Sequence, residues 1–273
     1  MNNREIKRRI ASVKETVKIT RAMYSISVAK TLKGRAALPA AEHFLDLSRS
    51  VLDRIASLPS DCFRKRGEKT AFIVVGGDKG LCGDYNQRVF ERATEAIRAK
   101  EEKYLFTVGT VVRDMLAKAG IEADMEFLHS AENPTPEAAY SMAADLLNLF
   151  DEGMLDEIAL VYSSVTGNRS EVLVKTLLPY APKESLPLPL EGVTEGALAR
   201  AIYQYLAGAI YHALISSALA ENLARVKAMP QATENGEAMI AELTAKYNKI
   251  RQESITRALQ DVGSSDNGYE ESV

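Results

Sequence analysis

Residues 4–35 read REIKRRIASVKETVKITRAMYSISVAKTLKGR. Within them Ile6, Ile10, Val13, Val17, Thr20, Tyr24 and Ser27 recur at alternating steps of four and three. That is the seven-residue period of a helix whose seam faces a second helix in a left-handed coiled coil. A matching seam stands at the other end of the chain, in Gly236, Ile240, Leu243, Tyr247, Ile250 and Ser254. Residues 2–58 and 192–261 carry helical apolar spacing with almost no turn signals. At ~1.5 Å per residue these stretches would run roughly 85 and 100 Å, too long for one globular domain. Two such seams predict an antiparallel helix pair within one molecule, a shaft; the competing reading is an ordinary amphipathic bundle. Pro39 and Pro230 are expected to kink or break their helices, at ~3 kcal/mol each where neighbours do not compensate.

Between the two helices the pattern alternates. AFIVVGG at 71–77 suits a buried strand, 84–101 is helical and charged, and KYLFTVG at 103–109 is a second strand. A helix is expected near 110–119, a strand in IEADMEFL at 121–128, and a helix from Pro134 and Pro136 to near Phe150. DEIALVYSSV at 156–165 follows, and after a turn at Ser164–Arg169 the segment SEVLVKTLLP returns as a hairpin strand. Strand alternating with helix predicts an α/β fold, a doubly wound, Rossmann-like parallel sheet. The expected organisation is therefore a shaft helix at 1–58, a central α/β domain at 70–180, a second shaft helix at 192–262 pairing with the first, and a flexible acidic tail at 263–273.

Charge is unevenly spread. Residues 1–35 carry ten Lys and Arg against Glu5 and Glu15, a net of +8, leaving −11 for the rest of a chain whose total is −3. A basic helix on an acidic protein implies an acidic protein surface, nucleic acid or anionic lipid as partner. The charges lie on several faces and the first helix has few aromatics, which favours a protein partner over base readout. The Arg-rich start resembles a mitochondrial presequence, but its heptads run past any cleavage site. The twenty residues Ala201–Ala220 lack a formal charge, long enough to cross a bilayer. Their Gln204, His212, Ser216, Ser217 and three tyrosines instead predict a helix buried in protein.

No catalytic constellation is legible. The loop Gly76-Gly77-Asp78-Lys79-Gly80-Leu81-Cys82-Gly83 lacks both the Gly-x-Gly-x-x-Gly dinucleotide spacing and the Gly-Lys-Ser/Thr of a P-loop. Its glycines are expected to permit tight turns with Asp78 and Lys79 presented outward. Cys62 and Cys82 have no metal spacing and read as free thiols. His43, His129 and His212 stand in separate segments. No cofactor, metal or active site is expected.

Three separated segments, in order, resemble the gamma subunit of F-type ATP synthases. They are the opening helix at 4–35, with Ile19-Thr20-Arg21-Ala22-Met23 and Ala29-Lys30, the loop GGDKGLCGDYN at 76–86, and ENLARVKAMPQATENGEAMIAELTAKYNKIRQESIT at 221–256. The resemblance implies a non-catalytic rotor whose terminal helices pair inside the hexamer of alpha and beta subunits. Its α/β domain would meet the epsilon subunit and the c-subunit ring, and ion (hydrogen ion) transport would turn the whole. Such a subunit is peripheral on the cytoplasmic face of a bacterial plasma membrane and binds no nucleic acid. By the same resemblance Arg251, Gln252 and Lys79 would contact beta subunits, and Arg8, Arg9, Lys18, Arg21, Met23 and Lys30 would form shaft or bearing contacts. The chain departs from the family pattern at Tyr24 (usually Lys), Val226 (Met), Pro230 (basic), Glu234-Asn235-Gly236 (Asp-Asn-Ala) and in its acidic tail. The alternative reading is a coiled-coil scaffold or nucleic-acid-binding protein.

Overall fold

The computed structural model describes residues 3–56, 60–64, 66–127, 131–182 and 194–266, with side chains, residue 195 aside, as far as 257. Helix α1 spans Asn3–Ile55 and helix α5 spans Glu195–Asp266. Between them come a 3-10 turn at Asp61–Phe63, β1 (Thr70–Val75), α2 (Tyr85–Arg98), β2 (Lys103–Val108), α3 (Thr110–Lys118), β3 (Met125–Glu126), α4 (Pro136–Asp151), β4 (Glu157–Thr166) and β5 (Arg169–Leu178). The chain divides into two compact units, Met1–Ile26 with Lys227–Val273, and Ser27–Val226.

The first unit is a helix pair. Thr20 and Thr233 share a hydroxyl hydrogen bond of 2.8 Å, Arg21 pairs with Glu237, and Gly236 lies against Val17. From Val17–Gly236 to Thr20–Thr233 the number rises on α1 and falls on α5, so the helices run antiparallel. Ile6, Val17, Thr20, Met229 and Leu243 are buried, with Ile10, Val13, Ile240, Tyr247 and Ile250 half-buried beside them. Two expected seam positions fall outside: Ser254 is exposed, and Tyr24 is 41% exposed while Met23 is half-buried. Facing out, the Tyr24 phenol keeps its hydroxyl hydrated.

Neither proline breaks its helix. Pro39 and Pro230 stand inside continuous α1 and α5. Both lie on exposed faces, where water can take the carbonyl that the missing N–H leaves unpaired. Helix α5 also continues to Asp266, so the first residues of the expected tail are helical; 267–273 lie outside the described residues.

In the second unit five strands form one sheet in the order β3-β2-β1-β4-β5, with β5 alone antiparallel. Strand β1 is buried along its whole length, as a central parallel strand covered on both faces must be. Phe72, Val74, Val89, Ile97 and Leu116 pack one face under α2 and α3. Ile73, Val75, Leu146, Phe150, Ile210 and Leu214 pack the other, where α4 and α5 lie. The uncharged run in α5 is thus interior: Tyr205–Ile210 and Ala213–Ser217 are buried without interruption. The third strand is shorter than its alternating polarity predicts, since the Asp124 carboxylate itself accepts the Leu105 N–H at 2.7 Å. The β4–β5 hairpin turns at Gly167, whose φ of 62° favours a residue without a Cβ.

Candidate functional site

A doubly wound sheet binds its ligands beyond the carboxyl ends of the strands, where the strand order reverses. Here that point lies between β1 and β4. The chain fills it with α5. Ser217 Oγ accepts the Ser163 N–H at 3.1 Å and Ser216 Oγ accepts the Val165 N–H at 3.2 Å. One and two turns further on, Glu221 and Arg225 form an ion pair with side chains only 5% and 7% exposed. Arg225 also donates to the Gly80 carbonyl at 3.2 Å, and Asn86 Oδ1 accepts the Gly77 N–H at 3.0 Å. A Cβ on Gly77 would lie 3.0 Å from Asn86 Oδ1 and 3.1 Å from Glu221 Cδ. The Glu221 carboxylate beside this loop carries the wrong charge for a pyrophosphate.

Burial pushes the Glu221 carboxyl up against the opposing pull of Arg225, and burial with the neighbouring Glu221 pushes the Tyr85 phenol up. Burial, then Glu221, likewise raises the Cys82 thiol, which donates to the Lys79 carbonyl. A thiol held protonated is a poor nucleophile. Cys62 is also raised by burial. His212 is lowered by burial and packs edge-on to Tyr162; His43 is exposed, and His129 lies outside the described residues.

The outer side of the glycine loop corrects one expectation. Asp78 is not presented outward: its carboxylate accepts the Ala131 N–H at 2.9 Å and the Thr110 N–H at 3.4 Å, fastening the loop to the start of α3. Lys79 is 61% exposed, and it pairs with Glu132 at 2.8 Å. Lys30 reaches the same carboxylate from α1. Lys30 first, then Lys79, pull the Glu132 carboxyl down to about 2. Next to them Leu81 holds a φ of 62° with its side chain in solvent, a conformation that non-glycine residues adopt rarely.

The structure therefore brings Lys30 and Lys79 together on one acid in the sheet unit. The remaining candidates belong to the helix pair and stay apart. Arg251 and Gln252 are exposed on α5, and Arg8 and Arg9 are exposed on α1. Lys18 bonds Glu15 on its own helix at 2.8 Å, Arg21 bridges to Glu237, and Met23 is half-buried. Reading the sequence for catalysis overlooked Ser216, Ser217, Glu221 and Arg225. Their signal was a polar i, i+4 series emerging from an uncharged run.

The described chain thus has a helix pair and, separately, an α/β sheet unit whose crevice is occupied by its own α5 side chains. The family model for ATP synthase matches residues 2–267. The ATP synthase gamma chain of Caldanaerobacter subterraneus subsp. tengcongensis is 34% identical over 96% of this chain and 98% of its own. That of Halothermothrix orenii is 31% identical over 95% and 96%. The chain belongs to the ATP synthase gamma family. It is a non-catalytic central-stalk subunit of an ATP synthase, and the scaffold or nucleic-acid reading is not favoured. The fold agrees: a chain of the Euglena gracilis mitochondrial ATP synthase OSCP/F1/c-ring superposes with a TM-score of 0.76 at 17% identity, covering 97% of this chain and 94% of that one. A chain of the Euglena rotor gives 0.73 at 17% identity, covering 93% and 98%. Gamma is a peripheral F1 subunit, and among the described residues no helix is long and apolar enough to cross a membrane.

Proposed function

We propose that this subunit couples ion flow to ATP chemistry by rotating. The antiparallel pair of α1 and α5 turns inside a hexamer of alpha and beta subunits, and the sheet unit is carried by a c-subunit ring with an epsilon subunit alongside. The assembly stands on the cytoplasmic face of a bacterial plasma membrane. The helix pair is the observation that carries this reading. Its contacts at Val17–Gly236 and Thr20–Thr233 join two helices into a stiffer body than either alone, and torque needs stiffness.

The exposed basic residues supply the moving contacts. Arg251 and Gln252 stand on one exposed stretch of α5, where a guanidinium fork and an amide can catch an acidic loop of a beta subunit as it passes. Arg8, Arg9, Lys18, Arg21 and Met23 form the bearing surface, and Lys79, with Lys30 behind it on Glu132, meets acidic groups at the hexamer's edge. Exposed ion pairs are worth only ~0–1 kcal/mol, so each can form and break once per step without trapping the rotor. The test is reconstitution with alpha and beta subunits and observation of a bead on this subunit during ATP hydrolysis. Unidirectional stepping is expected; a bound but stationary subunit under active hydrolysis would overturn the reading.

A further inference from the structure

We propose that Ser216, Ser217 and Glu221 are the key that locks helix α5 to the sheet, so that turning the sheet unit turns the helix instead of slipping past it. This rests on the rotor reading and adds the residues that transmit the drive.

The geometry is that of a ladder continued by a helix. Strand β4 pairs with β1 only as far as Val161, because β1 ends at Val75 while β4 goes on to Thr166. Beyond that end the N–H groups of Ser163 and Val165 face the space where β1 would have continued. The hydroxyls of Ser217 and Ser216 accept them, one each. Successive residues on a helix point about 100° apart, so two adjacent serines holding alternate residues of one strand define both the roll and the height of the helix. Rolling α5 or sliding it along its axis breaks both bonds at once and leaves the buried Ser163 N–H and the half-buried Val165 N–H unpaired.

Glu221 adds a second grip on a different element. It lies one turn beyond Ser217 on the same face, is buried against Gly77, and holds the Arg225 guanidinium on the Gly80 carbonyl of the β1–α2 loop. Contacts on β4 and on that loop are displaced along one face of α5, so a roll or slide of the helix strains both anchors together. Apolar packing alone would permit small rolls; directional bonds to two anchors resist them.

The experiment uses the whole reconstituted ATP synthase in ion-loading vesicles with the double variant Ser216→Ala/Ser217→Ala, with Glu221→Gln, and with Gln204→Ala, an exposed α5 residue, as control. ATP hydrolysis and ATP-driven ion pumping are measured on the same vesicles, and angular fluctuations of the stalled rotor on single molecules. Expected is hydrolysis close to wild type, pumping per ATP reduced several-fold, and wider angular fluctuations, with the Gln204 variant unchanged. A pumping-to-hydrolysis ratio equal to wild type in assembled variant complexes would overturn the proposal. If the double variant does not assemble, the single Ser217→Ala decides by the same ratio. Failure of the wild-type complex to rotate at all would instead count against the rotor reading.

Discussion

Gly236 lies so close to Val17 that a Cβ on the glycine would stand 2.5 Å from Val17 Cγ2. In this chain the glycine makes room for a stiff, β-branched neighbour on the opposite helix. Gly236→Ala gains ~1 kcal/mol of helix propensity, but overpacking of a well-filled contact costs about 1–3 kcal/mol. A lower melting temperature is expected. Paired with Val17→Ala, the same substitution should become neutral or stabilising relative to Val17→Ala alone, because contacting sites are not additive. Thermal unfolding of the four proteins checks it; equal effects of Gly236→Ala in both backgrounds would disprove the contact.

Glu132 gives the sheet unit a defined acid sensitivity. Its folded-state carboxyl titrates at about 2 against an ordinary value of 4.5, held down by Lys30 and Lys79. A depressed acid contributes stability that is complete above the unfolded value and lost as pH falls through the folded one. Between pH of about 4.5 and about 2 the wild-type protein should therefore lose more stability than Glu132→Gln. Denaturant midpoints across that window measure the difference, and parallel curves would contradict it.

Replacing both Arg251 and Gln252 by alanine should leave the isolated subunit's stability within about 0.5 kcal/mol, since both side chains are exposed. Turnover of the assembled complex should fall. Unchanged coupled ATP turnover would remove these two residues from the proposed beta-subunit contact.

The Glu221–Arg225 pair predicts an asymmetry between single and double replacements. Glu221→Ala strands a buried guanidinium and should cost about 3–5 kcal/mol. Glu221→Met with Arg225→Leu removes both charges and should cost much less, because neither desolvated partner is left alone. Urea unfolding of the full chain separates the two cases; equal losses would mean the pair is not buried as described.

Much of the architecture was open to a reader of residues alone. The heptads of α1 and α5, the strand–helix alternation and the Gly167–Asn168 turn are local, and each depends on side chains a few positions apart. The family resemblance lay in three short motifs for the same reason. Tyr24 shows where local reading stops. Its number fits the seam, yet whether position 23 or 24 faces inward depends on the partner helix, which no single helix encodes. Asp78 fails similarly: a loop aspartate looks solvated until Thr110 and Ala131 arrive from 32 and 53 residues away.

Periodicity and motif thus foretold the long helices α1 and α5, the α/β alternation between them and the family to which the chain belongs, because helical and strand spacing are written in nearest neighbours. The closing of the ligand crevice by α5, the sharing of Glu132 by two lysines and the fit of Gly236 to Val17 were decided by the tertiary structure. Each joins side chains 50 to more than 200 residues apart, and only the packed chain fixes their distance, burial and charge.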